Sequence, residues 1–252
     1  MHEHEPPVAL VTGAGSGIGQ ATALAFAEAG HSVVVADIDL DGATSTAATI
    51  TGAGGAAVVA RCNVAVESEV AAAVDLAVAT FGRLDAACNN AGIVGKLLPT
   101  VEYNESGWRR VLDVNLTGVF FCVKHELRVM LQQRSGAIVN IASEAAIKGN
   151  AANVAYTAAK HGVVGITKAA ALEVAADGIR INALCPGVIR TGILKRGAEQ
   201  IPETVAHYER LLPNQRMGEP EEIAAAVVWL CSPGASLING QTIAADGGWS
   251  IA

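Results

Sequence analysis

Two side chains in the stretch "VAYTAAKHG" can do chemistry. Tyr156 and Lys160 are four residues apart, which on a helix puts a phenol and an ammonium on one face, a turn from each other. A free phenol ionises near pH ~10, too high for a base at neutral pH. A neighbouring positive charge favours the phenolate and lowers that value. The pair therefore suggests a proton-transfer group with its tuning cation. The alternative is an ordinary surface pair. Thirteen residues before Tyr156, Ser143 offers a hydroxyl.

A second motif lies near the N-terminus. "TGAGSGIG", Thr12 to Gly19, is a glycine-rich turn between an apolar run and a helical pattern. Such a turn lets the backbone approach a pyrophosphate at a helix N-terminus. The literal G-x-G-x-x-G spacing is not met, because the glycines stand at 13, 15, 17 and 19. Asp37, 18 residues after Gly19, ends the next apolar run, where a carboxylate can accept hydrogen bonds from an adenosine ribose and repel a 2′-phosphate. No Lys or Arg occurs in the turn or next to Asp37 in sequence. NAD is therefore favoured over NADP. The competing explanation is a tight turn followed by a strand end.

The elements that must position these residues alternate. Short apolar runs such as "VALVTG", "SVVVAD" (Ser32–Asp37), "GAIVNIAS" and "QTIAAD" are separated by longer patterns with helical spacing. One long helix is expected from about Glu105 to Leu131. Fully apolar strands joined through helices predict a doubly wound, Rossmann-like α/β fold. Its seven-stranded parallel sheet carries helices on both faces. Residues 8–252 are expected to form a single domain after a frayed tail at 1–7. The irregular stretch 187–218 reads as a substrate lid.

Composition narrows the class. Of 252 residues, 51% are apolar and 16% charged, and the net charge is −7. An acidic chain without basic runs argues against nucleic-acid or membrane partners. Cys62, Cys88, Cys122, Cys185 and Cys231 form no C-x-x-C pair, so reduced thiols in a cytoplasmic protein are expected rather than disulfides or a metal site. No apolar stretch approaches the ~20 residues of a membrane span.

Taken together, these motifs resemble the classical short-chain dehydrogenase/reductase family over essentially the whole chain. The family's T-G-x-x-x-G-x-G is matched by Thr12, Gly13, Gly17 and Gly19, and its N-N-A-G by Asn89 to Gly92. Its helix asparagine is matched by Asn115, its serine by Ser143, and its Y-x-x-x-K by Tyr156 and Lys160. Its P-G is matched by Pro186–Gly187 and its carboxamide-contacting threonine by Thr191. The resemblance implies that Tyr156 is the acid–base group, Ser143 holds the substrate oxygen, and Lys160 also holds the nicotinamide ribose. It implies that Asn115 anchors a water linking Lys160 to solvent. Nucleotide contacts are implied for Gly13, Ser16, Gly17, Ile18, Gly19, Asp37, Ile38, Asn63, Val64, Asn90, Ala91, Gly92, Pro186, Gly187, Val188, Ile189 and Thr191, beside Tyr156 and Lys160. Asn90 is expected to brace the strand ends as well. Asn63 and Gly192 depart from the commoner Asp and Pro.

The expected activity is reversible, NAD-dependent hydride transfer between a secondary alcohol and its ketone. Candidate substrate contacts are Ser143, Glu144, Ile93, Val94, Asn153, Ile193 and Leu194, and their mostly apolar character suggests a hydrophobic or alicyclic alcohol. Glu144, unusual after the serine, is expected to face solvent, because unpaired charges are seldom buried. An NADPH-dependent 3-oxoacyl reductase is the alternative, and a non-catalytic dinucleotide-binding scaffold a more distant one. The family resemblance also implies a homotetramer. The small-residue stripe Ala155, Ala159, Gly162 and Ile166 would face either the sheet or another subunit, and Trp108 is expected in the core.

Overall fold

Val8–Thr12 is buried at every position, as a strand covered on both faces must be, and it forms the central strand β1 of a computed structural model describing residues 6–191 and 209–252. Candidates Ile193 and Leu194, and most of the expected lid, lie outside the described residues. The strands that follow are β2 (Ser32–Asp37), β3 (Ala57–Arg61), β4 (Ala86–Asn89), β5 (Gly136–Ile141), β6 (Ile179–Pro186) and β7 (Thr242–Ala245). All pair in parallel, in the order β3-β2-β1-β4-β5-β6-β7. The chain leaves β1 toward one edge, then crosses back to place β4 on the other side of β1. That switch opens a crevice at the carboxyl ends of β1 and β4, where open α/β sheets bind ligands.

The helices sort by face. Helices α1 (Gly17–Glu28) and α2 (Leu40–Gly52) cover one side with the last helix, α7 (Pro220–Cys231), burying Phe26, Ile50 and Leu230 against the sheet. On the other side α3 (Glu67–Phe81), α5 (Gly118–Gln133) and α6 (Val154–Val174) contribute Val74, Met130 and Val163 to the second core. Helix α4 (Glu105–Leu112) packs on the start of α6. There Val111 and Trp108 meet Ala155 and Ala159, and a methyl group on Gly162 would meet Leu116 at 2.6 Å. Ala155, Ala159 and Gly162 of the small-residue stripe thus face α4 and the turn after it, while Ile166 packs on the second core.

The single helix expected over 105–131 is interrupted. Residues Asp113–Thr117 form a π-helical turn between α4 and α5. Its cause is Asn115, fully buried, whose amide donates to the Val111 carbonyl at 2.9 Å and to the Ile93 carbonyl at 2.8 Å. A side chain inserted in this way displaces the regular helix ladder.

A polar chain crosses the second core. Glu126, fully buried, accepts from Asn89 Nδ2 at 3.0 Å, which also donates to Asn140 Oδ1 at 2.9 Å. Asn140 in turn donates to Thr167 Oγ1 at 2.9 Å. Burial pushes the Glu126 carboxyl up to about 7.

Candidate active site

The glycine turn runs from the end of β1 into α1. Gly13 and Gly17 have φ of 65° and 56°, a region that glycine enters freely and other residues rarely adopt. A Cβ on Gly13 would lie 2.9 Å from the Ala91 Cα, and one on Gly19 would strike the Gly13 carbonyl. The turn is pinned by Asn90, whose amide donates to the Thr12 and Gly13 carbonyls at 3.0 and 3.1 Å. Thr12 Oγ1 accepts from the backbone amides of Asn90 and Ala91 at 3.1 and 3.2 Å. Asn90 therefore does brace the strand ends.

This cradle fits a dinucleotide phosphate. Ser16, at the N-cap of α1, makes no side-chain cap bond, and no acidic residue occupies the first turn. The positive helix end around Gly17, Ile18 and Gly19 is thereby left to an anion. At the tip of β2, Asp37 accepts from Gly15 N at 2.7 Å and Asp39 N at 2.9 Å, while Ile38 is exposed. Sequence reading missed a cation here: Asp37 pairs in register with Arg61 on β3. The Arg61 guanidinium is held by Glu69 at 2.9 Å. Asn63 Oδ1 accepts from Ala65 N at 3.1 Å in a local turn. Val64 is buried against Gly118 in the core.

Across the crevice lies the proton-transfer group. Tyr156 stands in the first turn of α6, where the Ser143 side chain favours ionisation of its phenol. Ser143 follows β5 in extended conformation and is buried, and its Oγ accepts from Ala145 N at 3.2 Å. Lys160 is buried one turn along α6, with Nζ 2.7 Å from the Ile141 carbonyl and 5.5 Å from the Tyr156 ring centre. Burial drives the Lys160 ammonium down to about 8.

The tuning expected from the sequence is not what these groups produce on their own. The Tyr156 phenol lies above its ordinary value, because burial outweighs the opposing influence of the Ser143 side chain and the negative charge of Glu144 pushes the same way as burial. The Lys160 ammonium is engaged by the Ile141 carbonyl rather than by the phenol oxygen.

Asn115 ties this centre to the segment after β4. Its Oδ1 accepts from Ile93 N at 3.1 Å, so its side chain holds both backbone groups of Ile93. A Cβ on Gly92 would lie 2.7 Å from that Oδ1 and 3.7 Å from Lys160 Nζ, so the close approach needs a glycine. Ile93 and Tyr156 both pack against the small cluster of Val111, Ala155 and Ala159, and Val94 is half-buried.

Glu144 departs from expectation. It is only 7% exposed, in the short helical turn Glu144–Ala146 that Ser143 caps. Asn150 Nδ2 donates to its Oε1 at 2.9 Å, supplying a half-buried partner that the sequence did not reveal. Burial raises its carboxyl, and Lys148 opposes the rise. Asn153 is also buried.

The far wall comes from the end of β6. A cleft of about 360 Å³ opens beside Gly187, Val188 and Ile189, with Asp246 and Asn214 among its lining residues. Gly187, just past Pro186, meets the Asp246 backbone so closely that a Cβ would sit 2.8 Å from its Cα. Thr191 Cγ2 lies 3.3 Å from where a Cβ on Gly17 would stand, so this segment reaches back over the glycine turn. Among the described residues no group of His, Cys, Asp or Glu side chains is arranged to hold a metal. No helix among them is long and apolar enough to cross a membrane.

Known proteins resemble this chain in sequence and fold. The family model described as Enoyl-(Acyl carrier protein) reductase matches residues 13–250. The cyclohexanol dehydrogenase of Acinetobacter sp. strain SE19 is 46% identical over 243 residues, 96% of this chain and 94% of that protein. The 2,5-dichloro-2,5-cyclohexadiene-1,4-diol dehydrogenase of Sphingobium indicum is 40% identical, covering 96% of each chain. The solved structure of a single-residue variant of actinorhodin polyketide ketoreductase with NADPH superposes with a TM-score of 0.95 at 35% identity, over 100% of both chains.

Proposed function

Because this chain belongs to the short-chain dehydrogenase/reductase family of nicotinamide-dependent oxidoreductases, we propose that it interconverts a secondary alicyclic alcohol and its ketone, using NAD(H). The observation that carries the reading is the grouping of Tyr156 with the buried Ser143 and the buried Lys160, whose Nζ lies 5.5 Å from the Tyr156 ring centre. Ser143 donates to the carbinol or carbonyl oxygen and holds it against Tyr156. Tyr156 takes the hydroxyl proton during oxidation and returns it during reduction, a general acid–base role typically contributing ~10²–10⁴-fold. When bound, the nicotinamide supplies the hydride acceptor and, oxidised, a positive charge that favours the phenolate.

The dinucleotide pyrophosphate would rest on the amides of Gly13 to Gly19. Asp37 would receive the adenosine ribose hydroxyls, Lys160 the nicotinamide ribose, and Thr191 the carboxamide. Backbone from Asn90 to Gly92 and from Pro186 to Ile189 would line the crevice. The preference for NAD rests on the Asp37 carboxylate together with the engagement of Arg61 by Glu69. Asn115 fixes the segment that carries Gly92 and Ile93, consistent with a water path to Lys160. The alicyclic substrate class is supported by apolar Ile93 and Val94 and by the names of the relatives above. Tetrameric assembly remains the family expectation, which light scattering would test.

Absorbance of the reduced nucleotide, followed with cyclohexanol and other cyclic secondary alcohols in NAD⁺ and in NADP⁺, tests the reading. Turnover with NAD⁺ that collapses in Tyr156→Phe supports it. Faster turnover with NADP⁺ would refute the cofactor assignment.

A further inference from the structure

The middle of the segment between Ser143 and Tyr156 is poorly held by the core. Ile147, Gly149, Ala151 and Ala152 are all exposed, and a stretch with so little burial opens easily unless something else fixes it. On one side, Leu98 N donates to the Ala152 carbonyl at 2.9 Å. On the other, Lys148 reaches the C-terminal turn. Its Nζ lies 4.0 Å from the Trp249 ring centre and donates to the Trp249 carbonyl at 3.3 Å. Both residues are half-buried, where a cation over an indole face is held more strongly than in open water. Each end of this contact is anchored. Lys148 N donates to the Glu144 carbonyl at 3.1 Å, in the turn that Ser143 caps. Trp249 N donates to the Asp246 carbonyl at 3.3 Å, and the Asp246 carboxylate accepts from Gly248 N at 3.0 Å and Ser250 N at 2.8 Å. Next to Asp246, the Ala245 carbonyl accepts from Gly187 N at 3.1 Å. The C-terminal turn thus runs from the segment after Ser143 to the end of β6.

We propose that Lys148 is a positioning residue for the alcohol: through Trp249 it straps the segment after Ser143 to the C-terminal turn, and so fixes the serine that holds the substrate oxygen. The proposal rests on the dehydrogenase reading above. Neither Lys148 nor Trp249 has to touch the substrate. With the strap released, only the fraction of molecules whose segment is in place binds the alcohol productively, and the apparent affinity falls by that fraction. The glycine turn and Asp37 belong to other elements, at the ends of β1 and β2, so nucleotide affinity does not depend on the strap.

The test compares the wild type with Lys148→Met, which keeps the stem without the charge or donor, and with Lys148→Arg, which keeps both. Trp249→Leu removes the ring from the other side. Cyclohexanol is oxidised with whichever of NAD⁺ and NADP⁺ the wild type uses. Lys148→Met should lower kcat/KM for cyclohexanol at least about threefold, mainly through KM. Lys148→Arg should restore it, and the Kd of the nucleotide measured without alcohol should move less than about twofold. Trp249→Leu should reproduce the loss, and combining it with Lys148→Met should add little, because the two act as one unit. Amide hydrogen exchange over residues 144–153 supplies a readout without turnover: it should quicken in Lys148→Met and recover in Lys148→Arg. Unchanged exchange, a smaller loss of kcat/KM, or losses that multiply in the double variant would each overturn the proposal while the dehydrogenase reading stands. So would a nucleotide Kd that weakens in step with kcat/KM, the mark of general damage. If the wild type oxidises no cyclic alcohol with either nucleotide, the dehydrogenase reading falls and the positioning role falls with it.

Discussion

Asp37 and Arg61 stand side by side at the tips of β2 and β3, paired in register across the sheet, yet the arginine is bound by Glu69 at 2.9 Å. A carboxylate and a cation thus share the position where a ribose hydroxyl would be distinguished from a phosphate. Asp37→Ser should lower kcat/KM for NAD⁺ by about 10–100-fold, the worth of hydrogen bonds to a charged group. Adding Glu69→Ala releases Arg61, which should improve NADP⁺ use beyond the single variant. Steady-state kinetics with both nucleotides reads this; an unchanged NAD⁺/NADP⁺ ratio in the double variant contradicts the assignment.

The raised Tyr156 phenol has a directional consequence. Its base form accumulates only toward alkaline pH, so alcohol oxidation should rise with pH and ketone reduction should fall through the same ionisation. Glu144 contributes to the rise, so Glu144→Gln should move the acidic limb of the oxidation profile to lower pH. A limb that stays in place would show that the charge does not act on Tyr156.

Glu126 provides a stability prediction independent of catalysis. Its folded value of about 7 lies above the ordinary 4.5, so folding favours the protonated carboxyl. Its contribution is fully favourable below 4.5 and is lost as pH rises through about 7, by up to about 3 kcal/mol. Glu126→Gln keeps an acceptor for Asn89 and cannot ionise. Its Tm relative to wild type should therefore climb between about pH 5 and pH 8. Parallel Tm curves for the two proteins would contradict the assignment.

Asn115→Ala would leave the Ile93 amide and carbonyl without their side-chain partner, at about 1–3 kcal/mol for each buried group. Urea unfolding should show that loss. Because the same segment carries Gly92 toward Lys160, kcat should fall as well. A variant that loses stability with kcat intact would confine Asn115 to a structural role.

Much of the fold is legible in the chain because fully buried parallel strands leave a simple signature. The span Ser32–Asp37 is read from its apolar run and is found with the same bounds. The glycine turn, Ser143, Tyr156 and Lys160 are legible because they occur in fixed local patterns. What escapes depends on partners distant in sequence or lacking a periodic relation. The break at Asp113–Thr117 arises because Asn115 reaches Ile93, 22 residues away. Glu144 is buried with a donor from Asn150, six residues on in an irregular segment where neither periodicity applies. Arg61 becomes a neighbour of Asp37 only once two strands are laid together. The phenol's upward shift is equally hidden, since burial cannot be read from a Tyr–Lys spacing.

Ser143 and Tyr156 are the two abutments of one short bridge, residues 144–153. The buried turn Glu144–Ala146, capped by Ser143, and the buried Asn153, just before α6, tie the two ends of that bridge to its abutments. Variation in substrate range, whether by natural drift or in the laboratory, is therefore cheapest elsewhere. Ile93 and Val94 approach the same crevice from the segment after β4 and bear neither member of the proton-transfer pair. Libraries aimed at new alcohols should begin there, and treat the bridge as fixed except for side chains exchanged for others of equal size.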